Sequence, residues 1–364
     1  MKVGLIGLPG VGKTTLFHAL TRGEGSPAGG GRDALVSVVS VPDKRYDFAV
    51  DLFDPKKRTP AAIEFLDGAA TVGAGDTGGS GKFGSDFFVG IRSVDALVQV
   101  VRAYESPLFE TAPDPAKEAA AIGEELLLAD LQVIENRLER IKKQLSTRKS
   151  GAVVPEQVEQ EVLLRMKATL DEFQPLRTVE LSEDEKRIIK NFDFLTAKPV
   201  IVVANIGEDD LADAANMPML DELRKSCAEE NAPFVTLCAA AEREVAQLDE
   251  SEQAEFLAAL GIEEPARDRL IRASYQALGV MSFFTVGEDE VRAWTIPAGA
   301  SAVTAAGRIH SDLARGFIRA EVMAFEDLIA AGTWEAAKAA GKMRLEGKDY
   351  PVRDGDILHV RFKV

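Results

Sequence analysis

Residues 7–14 read Gly7-Leu8-Pro9-Gly10-Val11-Gly12-Lys13-Thr14, the spacing G-x-x-x-x-G-K-[ST]. They stand directly after the apolar run Lys2-Val3-Gly4-Leu5-Ile6 and directly before a run with apolar residues at Leu16, Phe17, Ala19 and Leu20. A strand, a glycine-rich turn and a helix in that order constrain this chain more than any other stretch. The glycines let the backbone approach a polyphosphate closely, successive N–H groups at the helix start receive its oxygens, and the lysine reaches the β and γ positions. Gly10, Val11, Gly12, Lys13, Thr14 and Thr15 are therefore the candidate nucleotide contacts. Lys13 is the candidate catalytic group and Thr14 a candidate ligand of Mg²⁺. A purely structural glycine turn is the competing reading.

Four more short apolar runs follow within the first 240 residues: Ile63–Leu66, Ala96–Val101, Val200–Val203 and Phe234–Leu237. Separated by helical patterns, they predict strands buried on both faces of a parallel α/β sheet, with ligands beyond the strands' carboxyl ends. Asp67 closes the second run, where a carboxylate is needed to hold the magnesium water shell; a cap or turn role competes. The tetrapeptide there, Asp67-Gly68-Ala69-Ala70, lacks the last glycine of the D-x-x-G pattern, and Thr71 supplies no glutamine to orient a water. Asn205-Ile206-Gly207-Glu208 follows the fourth run where guanine-specific proteins carry N-K-x-D. With Ile206 for the lysine and the longer Glu208 for the aspartate, guanine selectivity weakens, and an adenine held through Asn205 and the main chain near Ile206 becomes plausible. A plain acidic loop is the alternative. Cys238-Ala239-Ala240, after the last run, reads as packing near the base or simply after a strand.

Between the third and fourth runs, Leu127, Leu131, Ile134, Leu138, Ile141 and Leu145 repeat at alternating spacings of four and three, a heptad seam. A break at Thr147–Gly151 precedes a second helical pattern through Val158, Val162, Met166, Leu170 and Phe173, so an antiparallel helical hairpin is expected. Ser182 with Glu185 is a capping-box signature. After about residue 280 strands are expected at Ser282–Val286, Val291–Ile296 and near the C-terminus through Phe362, with a helix through Ile309, Leu313 and Phe317, a small α+β unit. The resulting division is 1–122 with 192–279 as a nucleotide-binding domain, 123–191 as the helical insert and 280–364 as the last domain. The glycine-rich stretches Gly23–Gly31 and Gly68–Gly84 read as mobile loops.

A formal charge of −16, from 59 acidic and 43 basic residues, argues against broad binding of a phosphate backbone, and no DNA contact is expected. From residue 281 onward 11 basic residues face 12 acidic ones, so the acidity belongs to the body, and the C-terminal basic residues leave RNA contact open. Two cysteines, Cys227 and Cys238, are too few for a disulfide scaffold or a thiolate metal site and read as buried thiols. No apolar run is long enough to span a membrane and none suits a signal peptide, which predicts a cytoplasmic protein. His310 reads as a surface or packing histidine, having no nucleophile or ligand partner nearby in sequence.

Together these residues resemble the YchF-type Obg-like ATPases. The resemblance covers nearly the whole chain and is most specific at Val291-Arg292-Ala293-Trp294-Thr295-Ile296-Pro297, Gly316-Phe317-Ile318-Arg319-Ala320-Glu321 and Glu346-Gly347-Lys348-Asp349-Tyr350. It implies a P-loop domain, a helical coiled-coil arm and a C-terminal TGS-like β-grasp domain, ATP favoured over GTP, Mg²⁺, and association with ribosomes or RNA. The chain departs from the family in a shortened first switch region, in Ala70 and Thr71, and in having no histidine within Ser106–Pro115. The expected function is thus a slow, Mg²⁺-dependent ATPase acting as a switch on a ribosomal or RNA partner. A non-hydrolysing nucleotide sensor and a GTP-specific GTPase are the rivals.

Overall fold

The computed structural model describes residues 1–23, 26–27, 35–67, 85–146, 155–259 and 264–363. The readings placed on Gly68–Gly84, including Ala70 and Thr71, on most of Gly23–Gly31 and on Thr147–Gly151 lie outside the described residues. In chain order the elements begin with β1 (Lys2–Ile6), α1 (Lys13–Thr21), β2 (Ser26–Pro27), β3 (Leu35–Ser40), α2 (Lys44–Phe53), β4 (Lys57–Thr59), β5 (Ala62–Asp67), α3 (Ser85–Arg92) and β6 (Ala96–Ala103). There follow α4 (Pro115–Ser146), α5 (Pro155–Asp171), α6 (Glu183–Ile189), β7 (Val200–Ile206), α7 (Asp221–Glu229), β8 (Phe234–Leu237), α8 (Ala239–Val245), α9 (Glu250–Ala259) and α10 (Ala266–Ala277). The remainder is β9 (Val280–Thr285), β10 (Glu290–Pro297), α11 (Ala302–Ile309), α12 (Ser311–Arg315), β11 (Phe317–Met323), α13 (Phe325–Ala331), α14 (Trp334–Ala339), β12 (Arg344–Glu346) and β13 (Ile357–Phe362).

Contacts divide the chain into two compact units, Met1–Val38 with Glu64–Arg269, and Val39–Ile63 with Leu270–Val364. The first holds a seven-stranded sheet in the order β2-β3-β5-β1-β6-β7-β8. β1 pairs in parallel with β5 and β6, β6 with β7, and β7 with β8, as the apolar runs predict. Every residue of β6 and β7 is buried, the reason those strands read as continuous apolar runs rather than alternating ones. Register sets Leu5 opposite Asp67, Arg102 opposite Asn205 and Asn205 opposite Leu237. The chemistry-bearing residues therefore gather at the carboxyl ends of neighbouring strands.

Helix α4 runs for 32 residues and serves two cores. Its Ile122 and Leu126 pack with Leu97, Val101 and Val202 of the sheet and Leu223 of α7, while Ile134 and Ile141 pack with Val162, Leu163, Met166 and Leu170 of α5. The heptad seam thus continues a helix already anchored on the sheet, and the boundary drawn at residue 122 falls inside α4. Asp130, fully buried at the change-over, accepts from Leu195 N (3.0 Å), Thr196 N (2.8 Å), the Thr196 hydroxyl (2.8 Å) and Arg92 Nη1 (3.0 Å). Four donors on one carboxylate satisfy a charge that would otherwise be costly to bury. Farther out, Arg137 holds Glu159 of α5 through two bonds of 2.6 and 2.7 Å. The Ser182–Glu185 capping box starts α6 with both bonds made. Phe173 departs from the helical pattern, for it follows α5 with φ +57° and is 71% exposed.

The second unit carries a six-stranded sheet in the order β12-β11-β13-β9-β10-β4. β9 and β10 are antiparallel, β11 and β13 are antiparallel, and β13 meets β9 in parallel, with α11 on the shared core. β4 adds to the edge beside β10, so residues 39–63, read from sequence as part of the nucleotide-binding domain, fall with this unit. The helix expected through Ile309, Leu313 and Phe317 is broken. His310 is extended and its Nδ1 accepts from Asp312 N at 3.2 Å, starting α12, and Phe317 opens β11. All three apolar residues still reach one core, which explains why their spacing imitates a single helix. Among the described residues no helix is long and apolar enough to cross a membrane.

Candidate nucleotide site

The turn between β1 and α1 has the backbone that its glycines permit. Gly10 and Gly12 adopt φ +83° and +97°, the left-handed region, and Gly12 caps α1 with no side-chain bond to the first-turn N–H groups. No acidic residue occupies that first turn, so the positive end of α1 faces the turn uncancelled. Lys13 is 4% exposed and its Nζ donates to Leu8 O at 2.8 Å, folding the ammonium back across the turn. Burial lowers its pKa to about 8 against the opposing pull of Asp67. Thr14 Oγ1 donates to Asp67 Oδ2 at 2.8 Å, and Asp67 is 2% exposed at the end of β5. The two expected metal-shell residues are thus brought together.

Asn205, at the end of β7, donates from Nδ2 to Val11 O and accepts at Oδ1 from Ala239 N, both at 2.9 Å. It ties the glycine turn to the start of α8, joining two of the sequence-derived candidates through the second of its neighbours, Cys238-Ala239. Ile206 is 2% exposed with its side chain in the sheet core, whereas Glu208 stands exposed beyond it. Cys227 and Cys238 are buried free thiols, as read from their number.

Three residues near the turn were not singled out from the sequence. Tyr104 donates its hydroxyl to Gly10 O at 2.9 Å, and the Phe109 ring lies where a Cβ on Gly10 would come within 2.8 Å of it. Arg102 sits 4.0 Å above the Phe109 ring, bonded through Nε to Glu118 at the start of α4 and through its other nitrogens to Thr111 O and Ala112 O. An arginine directly after the apolar run Ala96–Val101, still within β6, was the available signal, since a buried guanidinium requires partners.

Among the described residues no cluster of three His, Cys, Asp or Glu side chains offers a metal cage. Mg²⁺ on a nucleotide does not need one: it takes one or two protein oxygens together with phosphate oxygens and waters, and the Thr14 hydroxyl beside the Asp67 carboxylate is a set of that kind.

Comparison with known proteins agrees with this geometry. The YchF-GTPase_C family model, described as a protein of unknown function (DUF933), matches residues 280–363. The chain is 42% identical over 370 residues to the "Ribosome-binding ATPase YchF" of Bacillus subtilis (strain 168), covering 100% of both. It is 40% identical over 370 residues to the protein of the same name from Escherichia coli O157:H7, covering 100% of this chain and 99% of that one. A solved structure, that of the Schizosaccharomyces pombe YchF GTPase, matches with a TM-score of 0.85 at 33% identity, covering 99% of this chain and 97% of the other. A glycine turn of this geometry, over a fold shared from end to end, shows that the chain belongs to the YchF family of P-loop nucleoside triphosphatases.

Proposed function

We propose that this protein binds ATP with Mg²⁺ in preference to GTP, hydrolyses it slowly, and uses the bound state to switch its hold on a ribosome or another RNA-bearing complex in the cytoplasm. The observation that carries the reading is the uncapped start of α1 with Lys13 folded over it and Thr14 bonded to Asp67. Gly10 through Thr15 receive the phosphates, Lys13 neutralises charge developing on the β and γ oxygens, and Thr14 with Asp67 holds the metal. When bound, the ion supplies further charge neutralisation at the phosphates. Lys13 exchanges its bond to Leu8 O for one to phosphate.

The base preference rests on Ile206 and Glu208. An isoleucine whose side chain is in the core and an exposed glutamate replace the lysine and aspartate that recognise guanine, leaving Asn205 and the backbone near Ile206 to hold adenine. Slow turnover rests on Ala70 and Thr71, which supply neither the glycine nor the glutamine of fast hydrolases. Association with ribosomes is named for the bacterial relatives and is carried over from them. Calorimetric titration of nucleotide-free protein with ATP and GTP, each with Mg²⁺, on wild type and Lys13→Ala tests the reading. ATP binding stronger than GTP binding and lost in the variant supports it, and GTP bound as tightly as ATP overturns the base preference. Multiple-turnover phosphate release then separates an enzyme from a sensor that only binds.

A further inference from the structure

A cavity of about 460 Å³ lies between α4 and α7 on one face of the first unit's sheet, lined by none of the P-loop residues. Strand residues form its floor: Gln99 of β6, and Val200 and Val202 of β7. On the α4 wall Ala116, Ala119, Ala120 and Gly123 share one helical face and present methyl groups or nothing, with Leu126 and Leu127 beside them. A Cβ placed on Gly123 meets no atom within 4 Å. Ile122 of the same helix is buried in the sheet core and does not line the cavity. Across from it stand Leu223 and Cys227 of α7, and burial pushes the Cys227 thiol up to about 11, leaving a neutral wall.

Gln99 breaks the apolar run of β6 and is 7% exposed. Its Nε2 donates to Ala119 O at 2.9 Å, and no described group donates to its Oε1. Gln99 lines the cavity, and an amide oxygen without a protein donor at a space of ligand size is where a ligand's donor belongs. At the margin, Glu124, Glu222 and Glu230 face a single cation, Arg177, which is already paired with Glu230. The rim is therefore net negative.

We propose that this cavity is a binding site for a small amphipathic amine: an apolar body lies along the alanine face of α4, a hydroxyl or amide donor reaches Gln99 Oε1, and the protonated amine stays at the glutamate rim. An apolar body and a few placed polar contacts are the ordinary composition of such sites. A carboxylate in place of the amine meets the rim with like charge, and an uncharged analogue forfeits the attraction.

Tyramine is the probe, with 4-ethylphenol and 3-(4-hydroxyphenyl)propionate as its neutral and anionic counterparts, titrated calorimetrically into full-length wild type, Gly123→Leu and Gln99→Leu. Tyramine should bind wild type below about 1 mM, 4-ethylphenol about tenfold more weakly, and the propionate more weakly still. Gly123→Leu, which fills the space with a better helix former, should lose tyramine while its melting temperature and ATP binding hold or rise. Gln99→Leu should weaken tyramine and 4-ethylphenol alike, since both use the phenol. No tyramine binding at about 10 mM, equal binding of amine and carboxylate, or full binding to folded Gly123→Leu overturns the proposal, the last by placing the amine elsewhere.

Discussion

Asn205 donates its side-chain amide to the carbonyl oxygen of Val11 at 2.9 Å, closing a contact between residues 194 positions apart. The same amide accepts from Ala239 N, so one side chain fixes the glycine turn relative to α8. Asn205→Asp keeps the acceptor and replaces the donor with an oxygen that repels Val11 O. We expect it to lose about 1–3 kcal/mol of stability and at least about tenfold in ATP affinity, with Asn205→Ala similar. Urea unfolding and calorimetry read the two effects. An Asp variant binding ATP like wild type would show that the bond does not shape the turn.

Gly12 supports the same conclusion from the other side. Its φ of +97° is strained for any other residue, and a Cβ there would lie 2.3 Å from Asn205 Nδ2. Gly12→Ala should therefore cost about 2 kcal/mol or more and abolish measurable nucleotide binding, while Gly23→Ala, also at positive φ but with nothing within 4 Å, costs only the backbone strain of about 1 kcal/mol. Comparable losses in both would remove the argument from crowding.

The parts of this molecule legible in the sequence are those encoded locally. The glycine spacing, the apolar runs that became β1, β5, β6, β7 and β8, the heptad seam and the Ser182 capping box each need only a few adjacent residues to be read. What escaped is encoded by pairing at long range. β4 is three residues, Lys57–Thr59, with no apolar pattern, and exists because β10 offers it an edge. The His310 break was hidden because Ile309, Leu313 and Phe317 keep a helical spacing while the chain between them changes direction. Tyr104 and Phe109 lie in a loop without periodicity, and only the fold brings them to Gly10.

Arg102 and Glu118 form a pair almost wholly out of solvent, bonded through Nε at 3.2 Å, and Glu118 also accepts from Arg102 N at 2.9 Å. Removing one partner leaves the other's charge buried, so Arg102→Leu should cost about 3–5 kcal/mol. Arg102→Leu with Glu118→Leu should recover part of that loss, because no unpaired charge is then left buried, although Arg102 N loses its acceptor and Thr111 O and Ala112 O lose their donor. Chemical denaturation of the four members of the cycle measures the coupling, and additive losses would mean that the ion pair is not the cause.

Thr14 and Asp67 make a prediction about the metal rather than the base. Thr14→Ala removes a hydroxyl whose other role is a single bond to Asp67, so the fold should hold while the Mg²⁺ concentration needed for half-maximal ATP binding rises by about tenfold. Titrating MgCl₂ at fixed ATP reads it. An unchanged magnesium requirement would remove Thr14 from the metal shell.

Glu242 on α8 gives the protein a pH dependence with a definite sign. Burial pushes its carboxyl above the ordinary value of 4.5, against the pull of Ala266 N at 2.9 Å and Arg267 N at 3.2 Å at the start of α10. The folded state therefore holds this proton more tightly than the unfolded chain. The contribution to stability is complete below the ordinary carboxyl pKa and is lost as pH rises through the raised one. Glu242→Gln keeps an acceptor for Ala266 N but cannot ionise, so it lacks that loss. The melting temperature of the variant minus that of wild type should rise as pH increases above the ordinary carboxyl value and level off once the raised pKa is passed, whatever its absolute value. A difference that stays flat above the ordinary carboxyl value would mean that Glu242 titrates at its ordinary pKa, and that its two N–H donors offset its burial in full.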